Sequence, residues 1–362
     1  MSEYTQRIDV ARRIMEASDV DALCLSVGSD LPYLTGYKAM PLERVTMLIV
    51  PRSGRAHLVV PGLEAPRVSV PDDAFEVVGW AESDDPIAAI DGYLGDAVTV
   101  AVGDETWATF VLDLQSSNPA RSYVGASNLM AQLRMHKSQD EIVALRNAAR
   151  TVDAVVDEMA NVRFSGRTER SISREFIDRT ISLGHDTMDF GIVASGPNGA
   201  SPHHEPGERV IEQDDAVVVD FGGTQAGYCS DTTRMFVVGR APYGFDAAYE
   251  VLREAQAAAV DAVRPGVTAE SIDAVARDII TDAGYGDLFI HRLGHGIGMD
   301  THEHPYIVEG NDQVLEPGMA FSIEPGIYTP GEWGMRIEDI VAVTDEGVER
   351  LNRSDRAYRV VD

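Results

Sequence analysis

The sequence predicts an α/β protein of two domains. Three observations predict it. A chain of 362 residues is long enough for two ordinary cores or one large one. Up to about residue 135, helical and strand-like runs alternate. At KSQDEIVALRNAARTVDAVVDEMA (137–160) the character changes to long helices interleaved with apolar strands. The domains are therefore expected at 1–136 and 137–362.

In the first domain, a helix over 4–17 precedes the apolar strand ALCLSV (22–27). Strands follow near 45–50, 56–60, 75–78 and 98–102, with helical stretches near 86–94 and 126–134. In the second, Ser138 followed by Glu141 is a capping-box pattern that opens a helix over 137–160. A further helix is expected near 168–183, strands near 192–195, 216–221 and 232–238, helices near 245–263 and 269–282, and strands near 320–323 and 336–343. No short-period repeat or low-complexity segment interrupts this order.

The chain carries 59 Asp+Glu against 30 Lys+Arg, a formal charge of −29. Such a surface repels nucleic acid and anionic membranes, so neither is an expected partner. Only Lys38 and Lys137 are lysine; the other 28 basic residues are arginine. The acid is spread along the chain rather than collected in a tail. This excess with lysine depletion predicts adaptation to a high-salt cytoplasm, where ions screen the self-repulsion. No apolar run approaches the roughly 18 residues of a membrane span. The start reads as an amphipathic helix rather than a signal peptide, and Cys24 and Cys229 make no disulfide framework. A cytoplasmic location is the expectation.

HRLGHGIGMDTHEHP (291–305) holds His291, His295, His302 and His304, four of the chain's nine histidines. Histidine is the common neutral metal ligand and the acid–base residue near pH 7. Asp220 ends AVVVD and is followed by FGG; Asp231 lies in YCSDTTRMFVV. Strand, glycine-rich turn, strand is a hairpin pattern that brings the two acids together. Glu324 ends the apolar strand of FSIEPGIY, and Glu338 lies inside the expected strand MRIEDIVAV. Singly, a strand Asp is ordinarily a turn or salt-bridge residue, His302 or His304 a loop histidine, and GHGIG without a following GK[ST] a poor phosphate loop. Together, four acids among apolar neighbours are costly to bury without a common cation. Oxygen-rich ligands with one imidazole suit Mn²⁺ first, with Co²⁺ or Fe²⁺ as alternatives, and four carboxylates balance two divalent ions better than one.

The ordered set VDFG, SDTTR, GHGIG, IEPGIY and RIED closely resembles the two-domain metallopeptidases of the pita-bread fold, which include Xaa-Pro aminopeptidase, Xaa-Pro dipeptidase and the metal-free creatinase. DLPYLTGY (30–37) resembles their N-terminal domain and KSQDEI their domain junction. The resemblance implies a creatinase-like α/β domain, then a catalytic domain with a curved antiparallel sheet covered by helices. It implies Asp220 as ligand of one metal, Asp231 and Glu338 as bridging carboxylates, and His295 and Glu324 as ligands of the other. Glu324 is also implied as the group taking a proton from a bridging hydroxide or water. His203, in ASPHHEP, and His302 are implied to contact the scissile carbonyl or its oxyanion, with His204 a rival to His203. His291 is implied to line the pocket and Arg336 to lie near the metals, whereas His304 is expected in a structural loop role. The glycines around His295 are expected to let the backbone approach metal and peptide. The implied activity is hydrolysis of the bond between an N-terminal residue and proline, by a homodimer acting on small peptides. The alternatives are another C–N hydrolase or lyase acting on a small solute, and a non-catalytic binding homologue.

Overall fold

The computed structural model describes residues 2–69 and 73–362. The chain divides into two compact units, Met1–Arg134 and Met135–Asp362. His136 already pairs with Met319, so the junction residues run with the second unit.

The first unit is a six-stranded mixed sheet in the order Phe75–Trp80, Ala56–Pro61, Met47–Pro51, Ala22–Leu25, Thr99–Val102, Ser122–Gly125. Its central strands are apolar on both faces, and the Ala22–Leu25 strand, which carries Cys24, is fully buried. Helices Asp30–Thr35 and Ala108–Ser117 and the strand Ser122–Gly125 were not expected. Asp30–Thr35 is too short for periodicity to reveal, and Ser122–Gly125 is a largely exposed edge strand without an apolar signature.

The second unit contains two five-stranded sheets and a two-stranded ribbon. One sheet runs Arg359–Val361, Thr232–Val238, Ala216–Gln225, Thr187–Ser195, with Tyr228–Cys229 paired to the third strand. The other runs Glu303–Ile307, Gly294–Gly296, Ala320–Ile323, Asp339–Thr344, Gly347–Arg350. Alternation along the strands decides which helices cover each face. Val217, Val219 and Phe221 point into a core with helices Gln139–Met159 and Glu169–Ser182; Ala216 and Val218 point toward helices Phe245–Ala262 and Ala269–Asp282. Asp220 occupies the Val218 face.

The two helix pairs are one supersecondary unit used twice. Thr168 and Thr268 each cap a helix, accepting from Ser171 N and Ser271 N. Thr168 bridges to Val210 as Thr268 bridges to Val314. Glu169 N donates to Arg209 O at 3.0 Å, and Ala269 N to Gln313 O at 2.9 Å. Each cap contributes about 1 kcal/mol. The repeat unit is far longer than a short-period scan detects.

One expectation needs correction. The turn between Asp220 and Asp231 is not at Gly222–Gly223; the strand continues to Gln225 and turns at Ala226–Gly227. A Cβ on Gly222 would lie 2.1 Å from Ser230 O, so glycine there permits close strand approach rather than a reversal. Likewise, a Cβ on Gly294 would lie 1.9 Å from Ser322 O and one on Gly296 2.2 Å from His304 O. The glycines flanking His295 are demanded by the close approach of neighbouring strands.

Phe176 sits at 0% exposure against Phe164, Phe221 and Phe236. Phe176→Ala should therefore lower unfolding free energy by about 3–5 kcal/mol, measured by denaturant titration; a loss below about 1 kcal/mol would contradict this packing.

Candidate metal centre

The second unit folds its acidic residues into one cavity of about 900 Å³. Asp220 lies mid-strand, paired in register with Thr233, so Asp231 at the head of the neighbouring strand comes alongside it. His295 is the middle residue of Gly294–Gly296, and Glu324 follows directly on Ala320–Ile323. Glu338 is not inside a strand as expected. It occupies the break between Trp333–Arg336 and Asp339–Thr344, where its backbone N–H donates to Thr233 O at 3.3 Å. A break there frees the Glu338 side chain from sheet alternation and turns it into the cavity.

The ligand atoms converge. Those of Asp220, Asp231 and Glu338 all lie within 4.8 Å of one another, as do those of His295, Glu324 and Glu338. His295 Nε2 is 3.1 Å from Glu324 Oε1 and 3.7 Å from Asp231 Oδ2. Asp231, His302 and His295 form a third such group. His203, His291, His302 and Arg336 line the same cavity. His204 and His304 are not among its described lining. His304 lies on strand Glu303–Ile307 with its ring 4.8 Å from Tyr306, so it is a strand residue rather than a loop residue.

Asp231 and Glu338 are held well above the usual carboxylate range by burial, reinforced by repulsion from the neighbouring carboxylates. Burial also raises Asp220, and outweighs the Arg336 guanidinium beside it. For Glu324, burial is opposed and outweighed by the His295 hydrogen bond and charge, which hold it at about 2. Burial pushes His302 down to about 4. Asp220 Oδ1 and Glu338 Oε1 are buried with no hydrogen-bond partner. A buried carboxylate oxygen without a donor is costly, and two aimed into a ring of acids are what a divalent cation satisfies. The donor set thus fits such an ion.

Several supporting residues carried no assignment from the sequence. Thr233 Oγ1 donates to Glu338 Oε2 at 2.8 Å and accepts from Arg336 Nε at 3.0 Å. Arg336 donates to Asp220 Oδ2 and, at 2.7 Å, to the Tyr328 hydroxyl, which meets His291 Nε2 at 3.0 Å. Arg234, wholly buried, pairs with Asp339 at 2.6 Å and donates to the Glu338 carbonyl. Buried Lys137 pairs with Glu303, next to His302. Arg292 lines the cavity with its guanidinium 4.5 Å from the Tyr306 ring centre. Arg234 and Tyr328 stand inside the quoted motifs SDTTR and IEPGIY, where asking what orients four acids would have raised them.

Residues 143–345 match the model of metallopeptidase family M24. The chain belongs to metallopeptidase family M24. Residues 7–136 match the creatinase/prolidase N-terminal domain, so the architecture is a creatinase-type α/β domain followed by a pita-bread catalytic domain. The chain is 41% identical to a probable dipeptidase PepE of Mycobacterium tuberculosis, across 99% of this chain and 96% of that protein. It is 37% identical to an Xaa-Pro dipeptidase of Lactobacillus helveticus across 98% of both. Among solved structures, the prolidase of Thermococcus sibiricus superposes with a TM-score of 0.93 at 37% identity, covering 99% of each chain. The M24 chain is a hydrolase, and the carboxylate–imidazole cluster is its candidate site for divalent metal.

Asp231→Asn and Glu338→Gln each remove a carboxylate shared by the groups above. Purified variants reconstituted with Mn²⁺ should retain less metal per chain than the parent, which should approach two ions, as read by elemental analysis. Unchanged metal content in both variants would overturn the assignment.

Proposed function

We propose that this enzyme hydrolyses the peptide bond between an N-terminal residue and proline, with dipeptides as its main substrates. The observation that carries the reading is the pair of donorless carboxylate oxygens, Asp220 Oδ1 and Glu338 Oε1, in a cavity shared with His295 and Glu324. In this reading Asp220, Asp231, His295, Glu324 and Glu338 hold two divalent ions. Mn²⁺ is our choice, because one imidazole among carboxylates suits an ion of intermediate hardness. Such ions supply a polarised carbonyl and an activated water.

The remaining steps belong to the chain's own side chains. Water attacks the Xaa–Pro carbonyl carbon; Glu324 takes its proton and returns it to the prolyl nitrogen as the C–N bond breaks. His302, kept neutral by burial, and His203 each offer one N–H to the developing oxyanion. An Xaa–Pro amide has no N–H, so recognition must use the ring and the chain termini. His291, held by the Tyr328 hydroxyl at 3.0 Å, forms a wall for the ring. Arg336 is committed to Asp220, Thr233 and Tyr328. Arg292 is the other cavity cation, and we assign it to the C-terminal carboxylate of a dipeptide; relatives named dipeptidase and Xaa-Pro dipeptidase support that choice.

We also propose a cytoplasmic homodimer adapted to high salt. Both cysteines are buried free thiols, as a reducing compartment favours. No helix among the described residues is long and apolar enough to cross a membrane. The dimer is inferred from the family resemblance. Salt adaptation is supported by the −29 charge, with Lys137 buried and Lys38 as the one exposed lysine.

Ala-Pro and Met-Pro should be cleaved well, and Ala-Ala and Met-Ala poorly. Arg292→Met should raise KM for Ala-Pro by roughly tenfold, the order of one charge-assisted contact, while leaving the already weaker Ala-Pro amide little changed. Equal cleavage of proline-free dipeptides, or cleavage only of a small non-peptide solute, would overturn the peptidase reading.

At low ionic strength the Debye length reaches about 30 Å, so surface acids repel one another across much of a domain. Raising KCl from 0.1 to 3 M should raise both melting temperature and turnover. A flat or falling melting temperature would remove the salt-adaptation reading.

A further inference from the structure

Glu169 is a carboxylate outside the metal cavity that is 0% exposed and meets five hydrogen-bonding groups. It stands in the first turn of the Glu169–Ser182 helix, where the free N–H groups favour an anion. Its Oε1 accepts from Ser195 N at 2.8 Å, Ser195 Oγ at 2.8 Å and Asn198 Nδ2 at 3.0 Å. Its Oε2 meets His204 Nε2 at 2.8 Å and accepts from Gly207 N at 3.3 Å. Burial alone would raise its pKa, but these donors win and hold it below the ordinary range.

The residues it grips bracket His203. Ser195 and Asn198 lie before it, His204 and Gly207 after it. Between them, Pro202 O lies 3.4 Å from Arg336 Nη2, which ties the segment to Asp220. His203 itself is exposed, and no hydrogen bond to its ring is found among the described residues. Its place at the cavity is therefore set by the backbone that carries it. The fold does not require a carboxylate at this helix position: the duplicate helix has Ala269 there, equally buried, with the same Thr cap and the same backbone pairing.

We propose that Glu169 and His204 are a positioning pair that fixes the His203 segment for catalysis. His204 turns away from the cavity and serves as the clasp on Glu169, while His203, its chain neighbour, faces the substrate. The inference rests on the peptidase reading above, in which His203 contacts the substrate.

The test is a double-mutant cycle on Ala-Pro hydrolysis with metal content and melting temperature measured alongside. Glu169→Gln keeps an acceptor for Ser195 and Asn198 but presents an NH₂ to Gly207 N. It should lower kcat by roughly 10- to 100-fold, the range expected when a catalytic group is displaced by about 1 Å, with metal content unchanged. His203→Ala should lower kcat by roughly 10²–10³, and Glu169→Gln added to it should cost almost nothing further. His204→Ala should lower kcat by roughly tenfold, whereas His204→Gln, whose amide N–H can reach Glu169, should recover most of it. Should Glu169→Gln fail to fold, the His204 pair decides. Equal factors for Glu169→Gln in parent and His203→Ala backgrounds, or full activity in His204→Ala, would overturn the positioning role. A parent enzyme that leaves Ala-Pro intact, or full activity in His203→Ala, would overturn the peptidase reading and this inference with it.

Discussion

The mutual repulsion of Asp220, Asp231, Glu324 and Glu338 around one cavity is the constraint from which the rest of the second unit follows. Asp220, Asp231 and Glu338 are each under 10% exposed. A buried charge left unpaired is far costlier than a surface one. Arg336 offsets part of the charge and His295 Nε2 lies 3.1 Å from Glu324 Oε1, but two carboxylate oxygens still lack any donor. A divalent ion satisfies them, and its binding energy then becomes folding energy of the loaded enzyme.

Holding repelling groups together demands a scaffold that does not relax. The strands that carry them are covered on both faces, one by the helix pair Gln139–Met159 and Glu169–Ser182, the other by Phe245–Ala262 and Ala269–Asp282. The two sheets are stitched at the ligands themselves. Thr233 bonds the Glu338 carboxylate, and Arg234, paired with Asp339 at 0% exposure of both, holds the Glu338 carbonyl. Removing one partner of such a buried pair leaves an uncompensated charge, so these residues are fixed by the same electrostatics as the ligands.

The duplicated helix pairs each bring their own residues to the one cavity. Both halves use a Thr cap and a matching isolated β-bridge, so the frame is shared. The first half adds Glu169 and the His203 segment; the second adds Asp273, which accepts from Leu293 N at 3.1 Å just before His295. Each half thus anchors its own contribution to the cavity through one buried acid near a helix start.

The sequence by itself determined the α/β order of the elements, the long amphipathic helices and the five candidate ligand positions that the fold brings together. Helical periodicity and capping are local, and an acid flanked by β-branched residues is conspicuous wherever it folds. The resemblance of five ordered motifs then named their common site. What the sequence left open depended on contacts between distant segments. The strand break that releases Glu338, the glycines whose Cβ atoms would strike a neighbouring strand, and the short strands around His295 are all set by cross-strand packing. The choice between adjacent His203 and His204 is the sharpest case. The sequence sets them side by side; the tertiary structure separates them, because a carboxylate in a helix more than thirty residues earlier draws His204 Nε2 to within 2.8 Å while His203 lines the cavity.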